Sequence, residues 1–276
     1  MPLFKYEFIL KVKTPLHHGG EEKTGNEVLL RRIKYLVGDE IVEIPYVDGN
    51  ALRGYTRRLI MKDFFDRVGW QPRSLKLYHS FMSGGVLESI EEEESSRLDL
   101  ELRRMVRRYI PPLSLYGASI LNQAFAGKLI VGKALPICRE LNEYLPVKGD
   151  RSFYEYLDFT FATRRAEEEA RAARGEGEHA VQMIYKYEVF IPGTRLYTWF
   201  TVVDPTDVEL SCFGRVMELF MERPFIGGRS ACGCGEVEAQ LLSKTPLPSS
   251  RIYLKFLEEN RDEIIRVLER LDEMVG

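Results

Sequence analysis

Two adjacent histidines, His17 and His18, and the close thiol pair Cys232-Gly233-Cys234 are the side chains here best suited to proton transfer or metal binding. Histidine titrates near neutral pH and can serve as a general acid or base. No partner acid or base stands at a recognisable spacing from them, so loop histidines hydrogen-bonded to backbone or ligand are the competing reading. The one-residue thiol spacer is tighter than the two residues of a zinc knuckle, and Cys138, Cys212 and His179 are distant in sequence. Small thiols in a glycine loop are the simpler reading, and neither a metal nor another cofactor is expected.

A different chemistry, phosphate binding, is written into Ile44-Pro45-Tyr46-Val47-Asp48-Gly49-Asn50-Ala51-Leu52-Arg53-Gly54-Tyr55-Thr56-Arg57. A strand end, a glycine turn and a helix start set free backbone N–H groups beside arginines, and a helix N-terminus favours anions. A second feature is Leu115-Tyr116-Gly117-Ala118-Ser119. The third is the Gly227-to-Gly235 loop, whose glycines let the main chain approach a ligand closely. Taken singly, each has a plainer reading as a solvated arginine or a turn.

The elements that must position these groups follow from periodicity. Phe4, Tyr6, Phe8, Leu10 and Val12 alternate with polar residues, which predicts a half-buried first strand. Extended pieces follow over 28–37 and 41–47. From Ala51 the residues Leu52, Tyr55, Leu59, Ile60 and Phe64 recur at helical spacing, with Arg53 and Arg57 one turn apart on the side left free. A helix is expected over 91–109, its glutamates leading and its arginines trailing as the helix dipole favours, so a solvated helix end competes with phosphate contact there.

Residues 127–138 read as a strand, and 164–180 as a charged mobile insertion without large apolar groups. Val181 to Val189 and Leu196 to Val202 alternate on either side of Pro192-Gly193, which suggests an antiparallel pair. A helix over 208–221, a strand over 236–242 and one long helix over 250–275 complete an α+β sandwich of the ferredoxin type with insertions.

The chain has 276 residues, 45% hydrophobic content and a formal net charge of −3. Net charge does not announce a polyanionic partner, yet arginines cluster at Arg31-Arg32, Arg53 to Arg58, Arg103 to Arg108 and Arg164-Arg165, away from acidic runs such as Glu91 to Glu94. Such segregation permits a basic face. No stretch approaches the roughly 20 apolar residues of a membrane span. The start, Met1-Pro2-Leu3-Phe4-Lys5-Tyr6, lacks a signal-peptide layout, and with few cysteines a cytoplasmic protein is expected.

In order and spacing, these blocks resemble the RAMP superfamily of CRISPR-associated proteins, particularly the backbone subunits that line guide RNA. The family's Pro-x-x-x-Gly/Ser-Ser-Leu-Lys/Arg-Gly-x-x-Arg pattern is met by Pro45 to Arg57, with Asp48-Gly49-Asn50-Ala51 at its variable centre. Tyr116-Gly117 resembles its mid-chain Phe-Gly, and Gly227-Gly228 with Gly233-Cys234-Gly235-Glu236-Val237 resembles its closing glycine loop. His17-His18-Gly19-Gly20 after the first strand looks like its opening. The stretches 65–110 and 140–180 match no motif.

The resemblance implies one domain over 1–276: a ferredoxin-like (RRM-like) palm, a helical insertion at about 65–110 and a thumb-like insertion at about 140–195. Phe153 to Arg165, the charged insertion and a hairpin around Pro192 are all thumb candidates. It also implies head-to-tail polymerisation along guide RNA and its paired target strand, beside other effector subunits and without a membrane. Arginines and main-chain N–H groups bind phosphate without base information. The expected RNA-binding set is His17, His18, Lys23, Asn26, Arg31, Arg32, Asn50, Arg53, Arg57, Arg58, Arg164, Arg165, Gly228, Arg229 and Ser230.

No catalytic residue is expected. The loop aspartate that type III backbone subunits need for target cleavage looks equivalent to Asn26, and an amide cannot serve as a carboxylate base. The alternatives are a RAMP-type endonuclease using His17 or His18, and a protein-interaction subunit that caps the complex.

Overall fold

The alternation in the first strand decides which way the central sheet faces. In β1 (Leu3–Val12), Tyr6, Phe8, Leu10 and Val12 are buried, while Lys5, Glu7, Ile9 and Lys11 point to the opposite face. The computed structural model describes residues 1–24, 27–85, 100–120, 123–164 and 183–275.

Along the chain come β2 (Gly19–Thr24), β3 (Glu27–Leu30), β4 (Arg32–Val37) and β5 (Glu40–Pro45). The extended piece expected over 28–37 is therefore two strands: β3 pairs with β2, and β4 pairs with β5. Helices α1 (Gly49–Val68), α2 (Leu75–Met82), α3 (Leu100–Tyr109) and α4 (Pro111–Tyr116) follow, then β6 (Ala118–Ile120), β7 (Gln123–Phe125), β8 (Leu129–Val131) and β9 (Leu135–Pro136). The strand expected over 127–138 is thus broken in two. The rest is β10 (Leu157–Arg164), β11 (Met183–Phe190), β12 (Arg195–Val203), α5 (Asp207–Glu222), β13 (Val237–Leu241), α6 (Arg251–Glu259) and α7 (Arg261–Val275).

The central sheet is antiparallel in the order β13-β1-β12-β8, with β9 also on β12. Leu196, Phe200 and Val202 of β12 join the buried face of β1. Against that face pack α1 and α5, and Tyr6 stacks on Phe213 at 5.2 Å between ring centres. The other face carries a second cluster, in which Tyr197 meets Ile44 and Tyr46, Leu135 and Ile137, and Leu141, Leu145 and Phe153.

Two expectations fail here. Pro192-Gly193 does not close a hairpin, because β11 pairs with β10 and β3 whereas β12 pairs with β1. At the turn, Gly193 donates to Val12 O and Val12 donates to Thr194 O, both at 2.8 Å, handing the chain from one sheet to the other. The apolar row of β12 is buried only beside β1, and that burial outweighs the local turn. Among the described residues, then, the hairpin strands of the thumb-candidate region are β10 and β11, and the charged insertion between them lies outside those residues. The C-terminal helix is likewise two helices: Asn260 ends α6 by donating to Phe256 O and starts α7 by accepting from the Ile264 amide.

The segment 65–110 contributes the end of α1, then α2 and α3; the part of the expected 91–109 helix before Leu100 lies outside the described residues. In α3, Leu102 and Val106 are buried. Its arginines are not simply solvated: Arg103 donates to Ala124 O at 2.9 Å and Arg107 to Ala126 O at 3.2 Å. Among the described residues no helix is long and apolar enough to cross a membrane.

Candidate nucleic-acid interface

The block from Pro45 to Arg57 forms the end of β5, a turn and the start of α1. Asp48 caps the helix, accepting from the Asn50 amide at 2.7 Å. Gly49 is required by packing, since a Cβ there would stand 2.4 Å from Val131 O. Asn50 itself is exposed.

The two arginines one turn into this helix serve different ends from the one expected. Arg57 is only 3% exposed, and its guanidinium donates to the carbonyls of Phe81 (2.5 Å), Ser80 (2.8 Å) and Gly117 (2.7 Å). Burial, with Arg53 adding to it, pushes its pKa down to about 10, still charged at neutral pH. Arg57 is thus a clamp between α1, α2 and the Tyr116-Gly117 turn, and the expectation that it faces a phosphate is corrected. The apolar stripe does leave its side free, but α2 and α4 then cover that side.

Arg53 is half-buried, donates to Tyr116 O and reaches Leu129 O at 3.4 Å. The Tyr116 hydroxyl donates to Thr56 Oγ1 at 2.9 Å. Gly117 has φ 67, and a Cβ there would stand 2.3 Å from Phe125 O. Two motifs sixty residues apart in sequence therefore close on one another. Arg58, the next arginine, is exposed.

A second group of expected residues meets along a continuous strip. Asp48 faces Arg31 at 3.7 Å, and the Arg31 amide donates to His18 O at 2.9 Å. His17 bridges to the glycine loop, accepting from the Gly228 amide at 2.8 Å. The guanidinium of Arg229 lies 3.9 Å from the centre of the Tyr187 ring, and the His17 ring meets Tyr187 edge-on at 5.2 Å. Arg229 takes the left-handed conformation at φ 63. A Cβ at Gly227, φ 77, would stand 2.4 Å from His17 O. Ser230 is exposed beside them.

Not every cation on this strip is free. Arg32 pairs with the buried Glu188 at 2.6 Å, and Glu188 also accepts from the Leu30 amide at 2.8 Å. Lys186, another cation of β11, pairs with Glu27 at 2.7 Å. Lys23 stands in β2 opposite Val28, its side chain outside the described residues; the same holds for the side chain of Arg164 at the end of β10. Asn26 and Arg165 lie outside the described residues altogether.

The histidines are set into this frame rather than offered to solvent. His17 is 5% exposed and its Nδ1 donates to Glu188 O at 2.7 Å, with Nε2 beneath Gly19. Burial, with nearby Arg229 contributing, lowers its pKa. His18 is lowered by burial and then by Arg31, and its Nε2 is buried without a hydrogen bond among the described residues. Among the described residues no three His, Cys, Asp or Glu side chains gather as metal ligands; Cys232 is exposed, whereas Cys138 and Cys212 are buried elsewhere.

No family model matches the chain, and no curated protein does. Among solved structures, a chain of a "Type IV-B CRISPR Complex" is similar with a TM-score of 0.66 and 20% identity, over 91% of this chain and 96% of that one. The two chains are similar in fold. At this identity the likeness is one of fold alone. Sequence reading missed Tyr187 and Glu188, which organise the strip. Both sit in the alternating run that marked β11, but nothing local tells that β11 lies beside β3 rather than β12.

Proposed function

We propose that this chain is a RAMP-superfamily subunit that lines guide RNA in a CRISPR effector complex, gripping the RNA backbone without cutting it. The observation that carries this reading is the fold shared, over nearly the whole chain, with a chain of a CRISPR complex. The strand order β13-β1-β12-β8, under two helices in a β-α-β-β-α-β path, is in keeping with a ferredoxin-like palm. The β10–β11 pair, continued by β3 and β2, is the proposed thumb-bearing insertion.

In this reading Arg31, Arg58 and Arg229 face phosphates, with the exposed Asn50 and Ser230 beside them, and Arg53 and Arg57 hold the scaffold. These groups recognise charge and backbone, which suits a subunit whose guide sequence varies. The non-catalytic part of the proposal is supported by the two histidines. Among the described residues no carboxylate hydrogen-bonds to either ring to pair it for proton transfer: His17 Nδ1 donates to the Glu188 backbone and His18 Nε2 is buried without a partner. Copies of the chain, the target strand and other effector subunits are the proposed partners.

Expression beside a repeat–spacer array tests this. RNA of regular length should copurify with a large assembly and be shed as salt rises. A clean monomer without RNA in low salt would overturn the reading in favour of a capping subunit. RNA trimmed only while His17 and His18 are intact would overturn it in favour of an endonuclease.

A further inference from the structure

On the sheet face away from α1 and α5 lies a cavity of about 830 Å³, walled by β1, β12, the β8–β9 bend, the start of α1 and residues 143–146. Its walls carry four aromatic rings: Trp199 and Tyr197 come from β12, and Tyr35 of β4 meets Tyr144 edge-on at 5.0 Å between ring centres. Gly132 makes room for the indole, because any Cβ there would stand 2.5 Å from Trp199 Nε1. The phosphate contacts proposed above use none of these rings.

Charge on the walls cancels. Lys5 pairs with Glu7 at 2.9 Å, and Glu7 also accepts from the Tyr197 hydroxyl. Asp48 is spent on the helix cap and on Arg31. Lys133, 5.5 Å from the Tyr46 ring centre, shares the wall with Glu143. A polyanion gains little from such a lining, whereas a neutral planar ring with polar edges fits it. Two uncommitted polar groups would meet those edges: the Trp199 Nε1–H and the Asn50 side-chain amide make no hydrogen bond among the described residues. At the rim, Asp48 joins the cavity to Arg31 and thus to the strip.

We propose that this cavity takes one unstacked nucleobase of the bound RNA, held among Trp199, Tyr35 and Tyr144, while its phosphates stay at the rim beside Arg31 and Lys133. The proposal rests on the RNA-binding reading and adds a base-holding site to it. Aromatic walls accept any base by its π face, so sequence tolerance is retained.

The test uses the full chain with Trp70→Phe, which leaves Trp199 as the single indole. It is titrated with single-stranded RNA and with an abasic oligonucleotide of the same length, following indole fluorescence and the anisotropy of a labelled strand together. The expected result is quenching by the base-bearing strand at the same midpoint as binding, and binding of the abasic strand without quenching. Tyr144→Ala should weaken the base-bearing strand about 5-fold, and Trp199→Ala about 10-fold, with no change for the abasic strand.

Binding of base-bearing RNA without quenching would overturn the cavity proposal and leave backbone reading intact. Equal quenching by both strands would also overturn it, since no base would then be involved. Failure of both strands to bind would remove the RNA reading itself. Quenching that rises with protein concentration alone would assign the cavity to a second copy of the chain.

Discussion

The guanidinium of Arg229 stands 3.9 Å from the centre of the Tyr187 ring, joining the C-terminal glycine loop to β11 across 42 residues of chain. Arg229 is held there in a left-handed conformation, and His17 shares the same ring from its edge. The loop is thereby tied at one point to a sheet that it does not otherwise extend.

Cutting that tie should free the loop. Tyr187→Leu should remove a contact worth about 0.5–1 kcal/mol and speed amide exchange at residues 227–235, with little change in global stability. Arg229→Gly should relieve the left-handed strain yet weaken RNA, because a cation is lost. Unchanged exchange in Tyr187→Leu would show that the Gly228–His17 bridge alone fixes the loop.

Arg57 should behave as a structural residue. Arg57→Ala strands three buried carbonyls and should lower stability by about 3 kcal/mol in urea unfolding. Arg57→Lys should recover little, because an ammonium on a flexible stem cannot reach all three carbonyls as the guanidinium fork does. An Arg57→Ala protein of unchanged stability and weakened RNA binding would return this residue to the phosphate contacts.

Arg31 and Arg58 should behave the other way. Each alanine substitution should leave the urea midpoint nearly unchanged, weaken RNA of unrelated sequences alike, and lower the dependence of log K on log salt by about 1. Loss confined to one RNA sequence would argue against backbone recognition.

The two histidines should make stability fall in mildly acid solution. Their folded pKa values lie below the ordinary value, from burial first, with Arg229 and Arg31 adding to it. Above about pH 6.5 both states are neutral; as pH falls through that value the unfolded chain takes up protons that the native one refuses, and stability drops until the native pKa is passed. Glu7, Glu140 and Glu209, held below the carboxylate range, act only at lower pH. Urea midpoints at pH 7.5, 6 and 5 should therefore decline, and the double variant His17→Asn, His18→Gln should flatten that decline. An equal slope in both proteins would locate the protons elsewhere.

The sequence alone determined the elements whose signals are local. The alternation of β1, the apolar stripe of α1 and the rows in β11 and β12 all follow from spacings of two or of three to four residues. The order and type of the three motif blocks were equally plain. What only the tertiary structure decided is which side of each element is covered, and by what. Arg57 looked free because its own helix leaves it so, but α2 and the Tyr116-Gly117 turn close over it from later in the chain. Pro192-Gly193 looked like a hairpin because a turn was flanked by two alternating runs, yet those runs gain more burial in separate sheets. Arg31, His17, Gly228, Arg229 and Tyr187 become neighbours for the same reason. Pairing between strands far apart in sequence is chosen by the total surface removed from water, and no local window contains that sum.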